Sequence, residues 1–299
     1  MKKAKVLFLV FALIFVQMAV GCANNKEPEQ KTSAEQTEDS QVAAPDEMSR
    51  QMEVGTEDMR PVEGSSLKDG TYPVTVDSSS AMFHVTECAL TVRNGKMTAV
   101  MTMSGTGYLK VFMGTGTQAV QASENAYIPF AETSDGKHTF EVPVEALDKK
   151  ISCAAFSKNK EKWYDRTLVF RADSIPQTAF SDGAIATAES LKLEDGKYTV
   201  AVKLEGGSGK AEVQSPAEMR VKDKKAYVTL IWSSSNYDYM KLEGRKYEPL
   251  SIEEHSVFEI PVGGFDWKMP VKADTIAMSE PHEIDYTLYF DSASIKKAE

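Results

Sequence analysis

Residues 89–104 read ALTVRNGKMTAVMTMS, and residues 218–233 read EMRVKDKKAYVTLIWS. In the first stretch Met97, Ala99, Met101 and Met103 share one parity; in the second Ala226, Val228, Leu230 and Trp232 do. Side chains on a strand alternate between faces, so each run buries one face of a sheet. Asn94-Gly95 is a turn pair that closes tight hairpins. The two stretches therefore describe the same strand-forming unit, met twice.

The likeness extends in both directions. LKDGTYPVTV from Leu67 matches LEDGKYTVAV from Leu193, Tyr127-Ile-Pro129 matches Tyr247-Glu-Pro249, and FEVPV at Phe140 matches FEIPV at Phe258. AAFS at Ala154 is aligned with IAMS at Ile276, and RTLVFRADSI from Arg166 with YTLYFDSASI from Tyr286. The segments keep their order, as duplication of a unit of about 105 residues requires. Asp69-Gly70, Asp135-Gly136 and Asp195-Gly196 add turn signals between short strands. About seven strands per copy and no long helical periodicity predict an all-β chain of two tandem immunoglobulin-like β-sandwiches. They are expected at residues 67–176 and 192–299, joined by a linker at 177–191.

Ahead of the repeats, Lys2, Lys3 and Lys5 precede an apolar run that stops at Gly21-Cys22. A basic start, a short apolar run and small residues before a cut site describe a secretory signal, here residues 1–21. Ala19-Val20-Gly21-Cys22 also resembles the bacterial lipobox, with Ala19 where leucine is usual; the resemblance implies lipidation of Cys22 and anchoring to the outer face of the cytoplasmic membrane. Residues 22–66 are rich in Glu, Gln, Ser and Thr and nearly free of aromatics, so a disordered acidic tether spanning roughly 35–40 Å is expected. The net charge of −10 argues against nucleic acid, which needs a basic surface. Cys88 and Cys153 both carry core-facing parity, and the matching positions in the second copy align as Ala217 and Thr275. Loss of both together favours a Cys88–Cys153 disulfide over two buried thiols, in a compartment where disulfides persist.

Catalytic patterns are absent from the sequence. The four histidines are His84, His138, His255 and His282; none forms a helical pair for a metal, and there is no Cys-x-x-Cys. No nucleophile elbow or dinucleotide fingerprint occurs. The glycine-rich GTGYLKVFMGTGTQ lies between strands with no expected helix to receive a phosphate, and Ser78-Ser79-Ser80 and Ser233-Ser234-Ser235 read as turn structure. The chain is expected not to be an enzyme.

Methionines, tyrosines and one histidine remain near strand ends. Tyr237, Tyr239 and Met240 close one strand of the second copy, and Met278 and His282 precede its last. Thioether sulfur is a soft ligand, and haem iron accepts Met, His or Tyr above a flat apolar slot. The ordinary place for a methionine beside a strand is the core. LEDGKYTVAV, SPAEMRVKDKKAYVTL and the late FEIPV are similar to NEAT domains, the haem-binding β-sandwiches of Gram-positive surface proteins. SSSNYDYM and IAMSEPHEIDYTLYF resemble more closely the related streptococcal surface haem-binding family, which holds haem between two methionines. The resemblance spans both copies.

It implies Met240 and Met278 as axial ligands, His282 as the alternative ligand, and Tyr237 and Tyr239 as pocket walls. The Tyr-x-x-x-Tyr signature of NEAT domains is one residue short at Tyr286–Tyr289, which speaks against tyrosinate ligation. In the first copy Phe156 stands in the aligned place of Met278, Tyr108 matches Tyr237, and Met113 lies near the place of Met240. Lys158, Lys160, Lys162 and Arg166 could there meet a propionate, or form a solvated loop. Two functions follow as expectations. One is a lipid-anchored surface protein that takes part in haem or iron acquisition and hands haem to an ABC transporter or another surface haem-binding protein. The other is a non-catalytic adhesion or docking lipoprotein whose methionines are structural.

Overall fold

Strand order in space reproduces the repeat found along the chain. The computed structural model describes residues 41–49, 51–56, 59–277 and 280–298. The first half contains β1 (Gly70–Pro73), β2 (Val76–Ser78), β3 (Val85–Arg93), β4 (Lys96–Met103), β5 (Tyr108–Phe112), β6 (Ile128–Pro129), β7 (Ala131–Glu132), β8 (His138–Val144), β9 (Ile151–Ser157) and β10 (Trp163–Phe170). The second contains β11 (Gly196–Val200), β12 (Val202–Gly206), β13 (Ala217–Lys222), β14 (Lys225–Ile231), β15 (Tyr237–Leu242), β16 (Arg245–Tyr247), β17 (Val257–Pro261), β18 (Lys268–Thr275), β19 (His282–Phe290) and β20 (Lys296–Lys297).

The sheets run β1-β3-β4-β8-β7 and β2-β10-β9-β5-β6, then β17-β14-β13-β11-β20 and β12-β19-β18-β15-β16. Apart from the small edge strands β7 and β20, the second pair copies the first strand for strand. All the ladders between strands are antiparallel. The expected parity is realised: Met97, Ala99, Met101 and Met103 are buried, as are Ala226, Val228, Leu230 and Trp232. They join inward residues of the facing sheets, such as Leu168 and Phe170 in the first sandwich and Leu288 and Phe290 in the second. Burying side chains of this size contributes about 1.5–3 kcal/mol each.

Register corrects one alignment. Cys153 pairs with Arg166, and Val271 pairs with Tyr286. Since Arg166 and Tyr286 are equivalent, the counterpart of Cys153 is Val271 rather than Thr275. By the same register Phe156, opposite Lys110, corresponds to Asp274, opposite Tyr239, and not to Met278. Met278 itself lies outside the described residues.

Three further expectations change. The cysteines are free thiols, not a disulfide. Cys88 sits in one sheet opposite Met101; Cys153 sits in the other, its Sγ 4.0 Å from the Ala154 carbonyl. The tether is not free beyond residue 41. Val42 bridges Trp163, Val62 bridges Leu147, and Ala43 and Val54 are buried against the first sandwich. The glycine-rich stretch does carry a helix, α1 (Gly116–Gln121), whose Thr115 cap accepts from Gln118 N. The joining segment is packed as well: Phe180, Ile185 and Ala188 are buried, and Phe180 meets Trp267 edge-on at 5.8 Å. The expected signal and Cys22 lie outside the described residues.

Candidate functional site

The same end of each sandwich is built around one tyrosine. Tyr237 opens β15 opposite Thr275, and the ladder slips by a residue before Tyr239. Tyr108 opens β5 opposite Ser157 with the same slip. A bulge of this kind re-aims a side chain at a strand end.

In the second sandwich this end is aromatic and closed. The Tyr237 ring lies 4.1 Å from Trp232, Tyr286 meets Trp232 edge-on at 5.4 Å, and the Tyr237 and Tyr286 hydroxyls are 3.3 Å apart. Burial, and then Tyr237, raises the Tyr286 phenol above its ordinary range. Gly207, at φ +54, passes over it; a Cβ there would stand 2.8 Å from the Tyr286 ring. Among the described residues the buried Trp232 indole Nε1 has no hydrogen-bond partner. His282 begins β19 opposite Thr275 and is exposed. It shares parity with Ile284, Tyr286, Leu288 and Phe290, the row facing the core, so it is the solvent end of that row.

The other candidates of this sandwich separate. Met278 lies outside the described residues. Met240 is fully buried opposite Ala273, and its counterpart Val111 is equally buried opposite Ala155. Both are core residues, so Met240 has no face to offer a ligand. Tyr239 points to the opposite face from Met240. Its hydroxyl donates to Glu283 Oε1 at 2.8 Å, and Lys246 Nζ lies 4.2 Å over its ring. That hydrogen bond, with burial second, pushes its phenol up to about 12. It lies on the sheet face away from the buried Tyr237.

In the first sandwich this end is open. A slot of about 340 Å³ is lined by Met82 and His84 from the β2–β3 loop, Met103, Gly107 and Tyr108 near β5, and Ser157. Met82 is 69% exposed. Tyr108 packs edge-on against Phe83 at 5.2 Å, and its hydroxyl accepts from Arg166 Nη2 at 3.1 Å. Met113 only packs partly buried against the core. The four basic residues do not form one patch: Lys162 pairs with Glu47 at 3.1 Å, and Arg166 is buried inside the sandwich. Met82 and His84 escaped sequence reasoning; Tyr108 and Arg166 were each candidates there, but not as a bonded pair. The signal of Met82 and His84 was positional: AMFH ends the β2–β3 loop, where the second copy has the ten-residue GSGKAEVQSP between β12 and β13.

A larger groove, about 1640 Å³, runs between the sandwiches, with Trp267 and Met269 among many charged residues. Its cations are largely matched: Arg171 pairs with Asp77, Lys268 with Glu205 and Lys272 with Asp285. Among the described residues no group of three or more His, Cys, Asp or Glu side chains is placed to hold a metal ion.

No family model matches the chain, and no curated protein matches it. Six chains of solved structure do. One is the NEAT5 domain of IsdX2, a B. anthracis haemophore, in complex with haem; it is 23% identical, with 33% of this chain and 97% of that chain covered and a TM-score of 0.27. That likeness is too slight to add to the evidence of the strand pairings.

Proposed function

We propose that this is a haem-binding protein of the bacterial cell surface, held to the membrane by a lipid on Cys22. It serves haem or iron acquisition by passing haem to an ABC transporter or another surface haem-binding protein, and it catalyses no reaction. Haem lies against the surface at the strand end of the second sandwich, with His282 as axial ligand and Met278 as the second candidate. The supporting observation is the position of His282, exposed at the outer end of the inward row that continues through Ile284 to Tyr286. Imidazole is a common haem ligand, and Ile276, 47% exposed, adds apolar surface of the kind a macrocycle covers.

The test is an absorption titration of the purified protein with hemin, followed by removal of excess. The expected outcome is a shifted, stoichiometric Soret band that is lost or moved in His282→Ala. Met240→Ala should keep the band and lower stability by about 2–5 kcal/mol, as truncation of a buried methionine does. A band indifferent to His282→Ala would move the ligand to Met278 or to the first sandwich. Cys22→Ser should release the protein from the membrane fraction.

A docking lipoprotein is the second reading. It is favoured by Leu250 and Ile252, 67% and 53% exposed, and by the tight packing of Met240. Absence of any Soret shift would leave it as the better account.

A further inference from the structure

The first sandwich carries a small apolar cluster apart from its core, with Trp163 buried in it and Phe112, Tyr127 and Phe156 packed against it. Lys110 and Phe156 adjoin the core residues Val111 and Ala155, so they stand on the outer face of their sheet. Three rings there converge on one point. Lys110 Nζ lies 4.3 Å from the Tyr127 ring centroid, 4.9 Å from that of Phe156 and 5.5 Å from that of Trp163. All three are within the roughly 6 Å at which a ring face attracts a cation. Other contacts fix the rings. Tyr127 Oη donates to the Ala119 carbonyl at 2.8 Å, Trp163 pairs with Phe156 across the β9–β10 ladder, and the Trp163 amide donates to the Gln41 carbonyl at 2.8 Å. The Trp163 ring lies 5.0 Å from Tyr127 and meets Phe156 edge-on at 5.2 Å. The walls are therefore held without the lysine.

A primary ammonium is a poor match for such a cage. Among the described residues the Lys110 ammonium has no carboxylate partner and no hydrogen bond, so its three N–H donors are left to water. A quaternary ammonium keeps the charge, has no N–H to satisfy and turns methyl groups to the rings. Lys110 is partly exposed on a flexible stem that can swing its head into solvent. Nor does the fold require the cage. In the second sandwich the ladders put Tyr239, Asp274 and Glu283 in the places of Lys110, Phe156 and Trp163. The same strands form there with carboxylates where two of the rings stand.

We propose that the cage formed by Tyr127, Phe156 and Trp163 binds a quaternary ammonium group of the choline type, displacing the Lys110 ammonium that rests in it. The cage shares no residue with the slot at the strand end, and it stands without the haem reading.

The test titrates the purified protein with choline and with 3,3-dimethyl-1-butanol, its uncharged isostere. The chain has three tryptophans, and the indole N–H resonance of Trp163, identified by its loss in Trp163→Phe, reports the cage. The expected result is a saturable shift of that resonance with choline and a preference of roughly tenfold or more over the alcohol, as a cation between several rings gives. Lys110→Ala removes the resident cation and should tighten choline binding severalfold. Phe156→Leu keeps an apolar contact on Trp163 but removes a ring, and should weaken it severalfold. Sedimentation with phosphatidylcholine vesicles then tells the source: capture assigns a lipid headgroup, and no capture beside choline binding assigns a soluble ligand. No saturable shift in the unmodified protein, binding confined to Lys110→Ala, equal affinity for the two probes, or an affinity unmoved by Phe156→Leu would overturn the proposal.

Discussion

Asp148 lies between β8 and β9 at φ +53, 7% exposed, with its Oδ1 accepting the Ala172 amide at 3.0 Å. Burial pushes its carboxyl up to about 6; the Ala172 hydrogen bond opposes this, Asp173 adds to it, and Arg171 and Lys268 reduce it. The folded state therefore holds a proton that the unfolded state has released. Stability is fullest below the unfolded carboxylate range near pH 4 and falls as pH rises toward 6. An asparagine side chain can accept the same amide and tolerates positive φ. Asp148→Asn should flatten stability between pH 4 and 6 and raise it at pH 7, by about 2–3 kcal/mol at most. Urea unfolding at several pH values checks this; an unchanged slope would mean that the carboxyl is solvated. Residues were legible where parity alone decides, as along β4 and β14. Met240 was not, because parity says that a side chain is inward and not whether the inward space is a core or a mouth. Val111, fully buried at the same position, settles that space as core.

At the scale of elements, both central hairpins use two-residue turns with positive φ at each position. Asn94 and Gly95 lie at φ 49° and 72°, flanked by the Arg93–Lys96 pair. Asp223 and Lys224 lie at φ 50° and 64°, flanked by Lys222 and Lys225. Asn-Gly suits this turn, whereas lysine carries a Cβ into the left-handed region. The exposed Lys224–Glu189 pair offsets little of that. Lys224→Gly should raise the thermal midpoint by roughly 2–4 °C, measured by circular dichroism; a lower midpoint would mean that the ion pair outweighs the backbone strain. The elements themselves were legible because turn pairs punctuate alternating runs. The register of β18 was not. AAFS and IAMS look alike, but the ladder places KADT, not IAMS, opposite β15, and a four-residue offset between similar small-residue segments leaves no mark in composition.

At the scale of the molecule, the segment before the first sandwich is where averaged composition misleads. Residues 22–66 are polar enough to read as tether throughout, yet a few isolated apolar residues fix the second half. The Trp163 amide donates to the Gln41 carbonyl at 2.8 Å and the Ala43 amide to the Trp163 carbonyl at 2.9 Å; Val62 and Leu147 exchange two backbone bonds at 2.9–3.0 Å. A window average dilutes Val42, Val54 and Val62 among acids and serines, whereas packing counts each one separately. From Gln41 onward the described part of the segment is packed on the first sandwich rather than spanning as a tether. A chain beginning at Leu67 loses these bonds, leaves the Leu147 and Trp163 backbone groups to water, and uncovers the surfaces under Ala43 and Val54. Against a chain beginning at Gln41, it should be less stable by about 2–4 kcal/mol, the balance of apolar burial and a few hydrogen bonds over the ordering of the segment. Urea midpoints of the two chains decide it. Coincident midpoints would mean that the segment rests on the sandwich without stabilising it, and would return the whole of residues 22–66 to the role of spacer.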